Sequence, residues 1–159
     1  MSGIGNLRAW LRAGASGSRV ECDLMPPDPT FGAEIELPLE LSHGFEGILG
    51  LSVTELSEER ASGRVTVRDE LLQPTALVHG GVYAAIAESL ASWGTAYRVI
   101  PEGSVAVGMS NQTNFLRPIR EGTIHATAIA KHRGRTTWVW EVEISDDQGR
   151  LCVLSRVTI

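Results

Sequence analysis

From Gly44 onward the chain is built of short apolar and polar alternations, interrupted once by a long stretch of helical period. Arg64-Val65-Thr66-Val67-Arg68 shows the alternation cleanly, with one face apolar and the other charged or hydroxylated, as in a half-buried strand. Strand-like runs cover residues 47–56 and 61–68 before the helical stretch, and 104–116, 123–132, 136–144 and 151–159 after it. Turn chemistry separates them: 69–76 ahead of the helix, then Arg117-Pro118 with Glu121-Gly122, His132-Arg133-Gly134, and Asp146-Asp147-Gln148-Gly149. The last two separators are short enough for hairpins. Two strands, one helix and then four strands expected as a meander leave no second helix for parallel crossovers. They predict an α+β fold whose antiparallel sheet buries one face against that helix.

The helical stretch, 80–97, places Val82, Ile86, Leu90, Trp93 and Tyr97 within about 80° of one another at 100° per residue, which predicts the core stripe. Its other side carries Ala84, Ala91, Ser92 and Thr95 around Glu88, the one charged residue between Gly80 and Tyr97. A solvent-facing side normally holds several charges. Small residues there imply close approach of a wrapping sheet or of another subunit, so Glu88 is expected to be at least partly buried. A partly desolvated carboxylate suits general-base or nucleophilic work, the alternatives being a structural ion pair with an Arg from a neighbouring strand or a Glu reaching solvent at a helix edge.

The first 43 residues read differently. Arg8, Arg12 and Arg19 without any acid in the first twenty residues fit a short amphipathic helix around Leu7, Trp10 and Leu11 followed by a Gly/Ser linker, with an organelle transit peptide as the alternative. Four of the seven prolines, Pro26, Pro27, Pro29 and Pro38, fall in a loop-like lead-in, with one short helix expected at 38–41. The division is therefore 1–43 as an extension and 44–159 as the domain.

Composition narrows the function. The 159 residues carry a net charge of −5, with 43% hydrophobic and 21% charged residues and a pI near 5.4. That balance argues for a globular chain and against one built to neutralise a nucleic-acid backbone. The longest apolar candidate for a membrane span, 77–100, is broken by His79, Glu88 and Arg98. Cys22 and Cys152 fit no metal spacing and are expected to be free thiols in a reducing compartment, the cytoplasm. His43, His125 and His132 read as structural or surface residues, so neither metal nor cofactor is implied. Trp138 and Trp140, two apart, share one strand face and read as core or interface.

Gly80 and Gly81 open the helix, where backbone N–H groups and the helix dipole suit a polarised carbonyl oxygen. A tight turn explains a glycine pair equally well, and phosphate-binding glycine motifs and a GxSxG elbow are both missing. Eight residues of helix rise separate Gly80 from Glu88 by about 12 Å. One small carbonyl cannot touch both from the same chain, so joint action requires two helices brought together across a two-fold axis.

The stretch LVHGGVYAAIAESLAS (77–92), with AVGMSNQTNFLRP (106–118), TTWVWEVEI (136–144) and DDQGRLCVLS (146–155), resembles the hotdog-fold acyl-CoA thioesterases. It is most similar to the phenylacetate-degradation type and to the 4-hydroxybenzoyl-CoA thioesterases that carry a helix Glu. The resemblance implies five or six antiparallel strands around one long helix, and a homo-oligomer, a dimer of dimers, with active sites between subunits. It implies that Gly80 polarises the thioester carbonyl, His79 shapes that loop, and Glu88 acts as nucleophile or general base. Gln73 falls near the thioester, and Ser92 stands where relatives orient water with a threonine. Arg117, Arg135 and Thr136 match CoA phosphate contacts, and Arg117, Arg133 and Arg135 are expected at one pocket rim. Acyl-CoA is the implied substrate, with an aromatic or medium-chain acyl group. A hotdog hydratase or dehydratase and a non-catalytic acyl-CoA-binding module are the rivals; His79 and Glu88, nine residues apart, suit the hydratase poorly.

Overall fold

The computed structural model describes residues 44–159, and the elements expected within 1–43, with His43 and Cys22, lie outside the described residues. Six strands form one antiparallel sheet: β1 (Ser52–Leu56), β2 (Arg60–Thr66), β5 (Ser110–Phe115), β6 (Thr123–Arg133), β7 (Trp138–Ser145) and β8 (Leu151–Thr158), in the order β1-β2-β6-β7-β8-β5. A two-stranded hairpin, β3 (Leu72–Gln73) with β4 (Leu77–Val78), leads into the long helix α2 (Gly80–Val99). The sheet wraps α2 as expected, but the four strands after the helix are not a simple meander: β6, β7 and β8 follow one another, whereas β5 pairs with β8 and becomes the sheet edge.

Three boundaries differ from the sequence expectation. The run at 47–56 is not one strand: Phe45–Leu49 forms a short helix, α1, ended by Gly50 in the left-handed region at φ 71°, and β1 begins only at Ser52. Arg68 donates to the Leu49 carbonyl at 2.8 Å and to the Ile48 carbonyl, capping α1 in a way that hydrophobic pattern does not reveal. The stretch expected as a strand over 104–116 is a strand only from Ser110. In place of featureless turn material over 69–76 there is a 3-10 turn at Asp69–Leu71 followed by the β3–β4 hairpin, which runs on to Val78.

The inward face of α2 is also rotated from the predicted stripe. Val82, Ile86 and Leu90 are buried as expected, but Trp93 and Tyr97 are half-buried, while Ala87, Ala91, Gly94 and Thr95 are packed inside. Trp140 of β7 is the cause. A Cβ on Gly94 would lie 2.4 Å from its ring, and its indole N–H donates to Thr95 Oγ1 at 2.9 Å, which in turn donates to the Ala91 carbonyl. Small residues on that side of the helix are therefore contact residues for the sheet. Trp138 and Trp140 do share the inward face, both buried, with ring centroids 6.2 Å apart.

The β6–β7 ladder contains a bulge: Ala130 pairs with Trp140 and His132 with Val139, leaving Lys131 as the extra residue. At the other end of β7, the turn into β8 is held by carboxylates. Asp146 accepts from Arg150 Nε at 2.7 Å and from the Gln148 and Arg150 amides, and Asp147 binds His125 Nε2 at 2.8 Å and the Thr123 amide at 2.9 Å. The Arg150 guanidinium, and for Asp147 the His125 ring, hold these carboxyls below the usual Asp range.

Two predictions follow from this packing. Gly94→Ala, which in an exposed helix would gain about 1 kcal/mol, lowers stability here by about 1–3 kcal/mol through overpacking against Trp140, read from urea unfolding midpoints. Because Asp146 and Asp147 have depressed pKa values when folded, their contribution is present above the ordinary Asp pKa of about 3.9 and disappears as pH falls through the folded values. The double variant Asp146→Asn, Asp147→Asn is therefore less stable at neutral pH and shows a shallower loss of stability below about pH 4 than the parent chain, measured by unfolding across a pH series.

Candidate active site

The entry to α2 is fixed by backbone bonds. Val78 N–H donates to the Ile119 carbonyl at 2.9 Å and His79 N–H to the Leu71 carbonyl at 2.8 Å, aiming the chain into the helix. His79 is the N-cap, its Nδ1 accepting the Gly81 N–H at 2.9 Å, so that nitrogen carries no hydrogen. Among the described residues the Gly80 N–H has no hydrogen-bond acceptor, which leaves a helix N-terminal donor available. Phe115, at the end of β5, lies against Gly80: a Cβ there would sit 2.9 Å from Phe115 Cζ. Tyr83 lies beside Phe115 with centroids 6.2 Å apart. Its hydroxyl accepts from the Ile119 amide, and burial pushes the phenol pKa up, keeping it neutral. Gln73 ends β3, its Nε2 donating to Thr75 Oγ1 at 2.6 Å across the turn, so Gln73 and His79 both belong to the threshold of α2.

Glu88 lies two turns further on, half-buried, on the outward stripe that also carries Ala84, Ser92 and Ala96. Among the described residues it forms no ion pair, which removes the structural-pair alternative within this part of the chain. Instead Asn111 Nδ2 donates to Glu88 Oε2 at 3.1 Å and to the Ala84 carbonyl at 2.9 Å. Gly108 lies against the other oxygen, where a Cβ would come within 1.9 Å of Oε1. Ser92 is half-buried one turn beyond.

Asn111, Gly108 and Phe115 are the site residues that sequence reasoning missed. The signal was available: strand alternation over 104–116 puts Asn111, Thr113 and Phe115 on the face toward the helix, and polar residues on a core-facing strand side require a partner.

The basic residues do not meet within one chain. Arg117 follows β5 and donates to the Leu151 carbonyl at 2.8 Å, beside the β7–β8 turn, whereas Arg135 and Thr136 are exposed on the β6–β7 turn. The eight residues of β7 lie between, a span of roughly 26 Å. Arg133 is engaged elsewhere, with Glu58 at 3.1 Å and Glu59 at 3.5 Å and its guanidinium 6.0 Å above Trp138. The expected single rim of Arg117, Arg133 and Arg135 is thus not formed by one subunit, because hairpin-tip residues and strand-end residues fall at opposite ends of the sheet. Among the described residues no three His, Cys, Asp or Glu side chains gather as a metal site.

A helix N-terminus with an available amide, a carboxylate two turns along the same helix, and a wrapping antiparallel sheet define a class. Residues 76–153 match the thioesterase superfamily, and the chain belongs to that family, with its hotdog fold. The protein named "Putative esterase Rv1847" from Mycobacterium tuberculosis is 39% identical over 140 residues, 85% of this chain and 95% of that protein. A 1,4-dihydroxy-2-naphthoyl-CoA hydrolase from Listeria monocytogenes is 33% identical over 73% of this chain and 94% of its own length. The solved structure of thioesterase HI1161 from Haemophilus influenzae superposes with a TM-score of 0.70 at 31% identity, over 76% of this chain and 83% of that one. No helix among the described residues is long and apolar enough to cross a membrane.

Gly108→Ala tests the geometry around Glu88 directly. The new methyl displaces Oε1, and a crystal structure of the variant shows the Glu88 side chain rotated away and the Asn111 bond broken, with the sheet unchanged.

Proposed function

We propose that this protein hydrolyses acyl-CoA thioesters. The observation that carries the proposal is Glu88, the lone charge on the middle of α2, half-buried and, among the described residues, held by an amide rather than by a cation. The Gly80 N–H polarises the thioester carbonyl, stabilising the oxyanion as it forms. Glu88 either attacks the carbonyl carbon, giving an acyl-glutamyl anhydride that water then opens, or takes a proton from water that attacks instead. In both routes the C–S bond breaks, CoA leaves as a thiolate, and a proton from water or from Glu88 neutralises it. Ser92 orients the water, His79 fixes the Gly80 amide, and Gln73 stands by the leaving thiol.

About 12 Å of helix separates Gly80 from Glu88, so the two act from different subunits. The layout of β5 supports this. Strand and helix lie side by side in opposite directions, Asn111 beside Glu88 and Phe115 beside Gly80. β5 is also the sheet edge, and Val105, Val107, Met109, Phe115 and Leu116 on or next to it are exposed. Two copies of β5 paired antiparallel about their midpoints set the Asn111 end of one against the Phe115 end of the other, bringing Glu88 to the partner's Gly80. In such a homo-oligomer, a dimer or a dimer of dimers, Arg117, Arg135 and Thr136 would come to the CoA phosphates from different subunits. An aromatic acyl group is favoured by the likeness to a 1,4-dihydroxy-2-naphthoyl-CoA hydrolase and by Phe115 and Tyr83 beside Gly80.

The test is thiol release from a panel containing acetyl-, hexanoyl-, phenylacetyl-, 4-hydroxybenzoyl- and 1,4-dihydroxy-2-naphthoyl-CoA, with the protein's mass measured in solution. The expected result is turnover of at least one aromatic member by an oligomer, with Glu88→Gln lowering kcat by about 10²-fold or more. Binding without turnover would identify a carrier module, and full activity in a strict monomer would sink the shared site.

A further inference from the structure

Asn111 makes three hydrogen bonds, and together they fix which way its amide faces. Nδ2 lies within bonding distance of the Ala84 carbonyl and Glu88 Oε2, both of which accept. The reverse orientation would press an amide oxygen against two acceptors, so the NH2 group must face them and each of its hydrogens is used. Oδ1 is then turned toward Thr113 Oγ1, 2.7 Å away, and needs a donor there. Thr113 has one hydroxyl hydrogen. Having given it to Asn111, Thr113 must accept from Ser155 Oγ at 2.9 Å, and Ser155 is buried at 1% exposure. The polarity of the row is thereby set: Ser155 donates to Thr113, Thr113 to Asn111, and Asn111 to the carboxylate.

We propose that the row Ser155–Thr113–Asn111 positions Glu88, anchoring Oε2 as a permanent acceptor and leaving Oε1 as the oxygen that reacts. Asn111 is a positioning residue and does not meet the substrate. With an Asn111 N–H held on Oε2, a proton taken up by Glu88 goes to Oε1, and so does a bond to the acyl carbon in the nucleophilic route. Gly108 complements this arrangement, since the absence of a side chain leaves Oε1 the space that a Cβ would occupy. The Ala84 carbonyl already accepts an N–H within α2, so the second bond from Asn111 locks a side chain more than it builds the helix. Thr113 and Ser155 are register partners on β5 and β8, so the row ties the carboxylate to two strands rather than to one loop.

The inference rests on Glu88 being the reacting group, and the experiment separates the two claims. Steady-state kinetics on the panel member turned over fastest are compared for the parent and for Glu88→Gln, Asn111→Leu, Thr113→Val and Thr113→Ser, with thermal melts confirming folding. The expected result is a fall in kcat of about tenfold or more for Asn111→Leu with KM within about twofold, because a misplaced reacting group costs rate rather than binding. Thr113→Val, which keeps shape and removes one link, lowers kcat severalfold, and Thr113→Ser, which keeps the hydroxyl, restores it. Should Asn111→Leu fail to fold, the Thr113 pair alone decides. If Glu88→Gln abolishes turnover while the Asn111 and Thr113 variants keep the parent kcat, or change KM alone, positioning by the row is overturned and the catalytic reading stands. If Glu88→Gln is fully active, both fall.

Discussion

The distance between α2 and the sheet is set by one contact, the Trp140 ring laid against Gly94. A tryptophan on a strand's inner face usually holds a helix away; here the helix surrenders its side chains at that place, offering Gly94, Ala91 and Thr95, and Thr95 answers the indole N–H that would otherwise be buried without a partner. Close approach at this level lets the sheet curl round the helix far enough for β5, at its edge, to lie alongside α2. Without that, Asn111 would not reach Glu88 and Phe115 would not cover Gly80.

The site is therefore a property of two elements running in opposite directions. α2 carries an amide donor at its start and a carboxylate two turns on, and β5 supplies each with a neighbour in reverse order, an aromatic ring for the amide and a side-chain amide for the carboxylate. A carboxylate on a helix surface ordinarily samples several rotamers, which wastes part of its reactivity on misdirected orientations. Half-burial, an amide donor and a glycine on the far side restrict it, and among the described residues no cation neutralises it. Under the proposed function the chemistry and the architecture are coupled: the strand edge that flanks Gly80 and Glu88 is also the exposed edge proposed to meet another copy of the chain.

Most of the fold could be read from the sequence because the period-two runs and their turn residues act locally. The start of the long helix at Gly80, the antiparallel character of the sheet and the shared face of Trp138 and Trp140 follow from such short-range pattern, whereas the pairing of β5 with β8 in place of a meander is long-range and does not. The inner face of α2 did not, since hydrophobicity ranks Trp93 and Tyr97 as core, whereas what the sheet requires at that level is smallness, and only the position of Trp140 reveals it. The same holds for α1, whose end is capped by Arg68 from beyond β2, a contact between residues 19 and 20 positions apart. Within the site, Glu88, Gly80 and His79 were legible as the unusual residues of one helix. Asn111 was not, because its significance lies in facing that helix from a distant strand. Arg117 and Arg135 were placed on one rim by chemistry alone, and the length of β7 separates them.

The extra residue at Lys131 works as a change of phase. Along β6 the inward positions run Ile124, Ala126, Ala128 and Ala130, a rhythm that would turn residue 133 toward solvent; after the bulge, Arg133 instead stands opposite inward-facing Trp138. From there its guanidinium reaches Glu58 on the β1–β2 turn, and Glu58 also binds Arg98 from the last turn of α2 at 3.3 Å. One carboxylate thus gathers cations from the helix and from the hairpin, and does so only because the strand beat is offset by a single step. The hairpin tip of β6 and the β1–β2 turn are thereby tied through Glu58 to the last turn of α2, so a one-residue insertion in the ladder fastens the far end of the sheet to the helix it wraps.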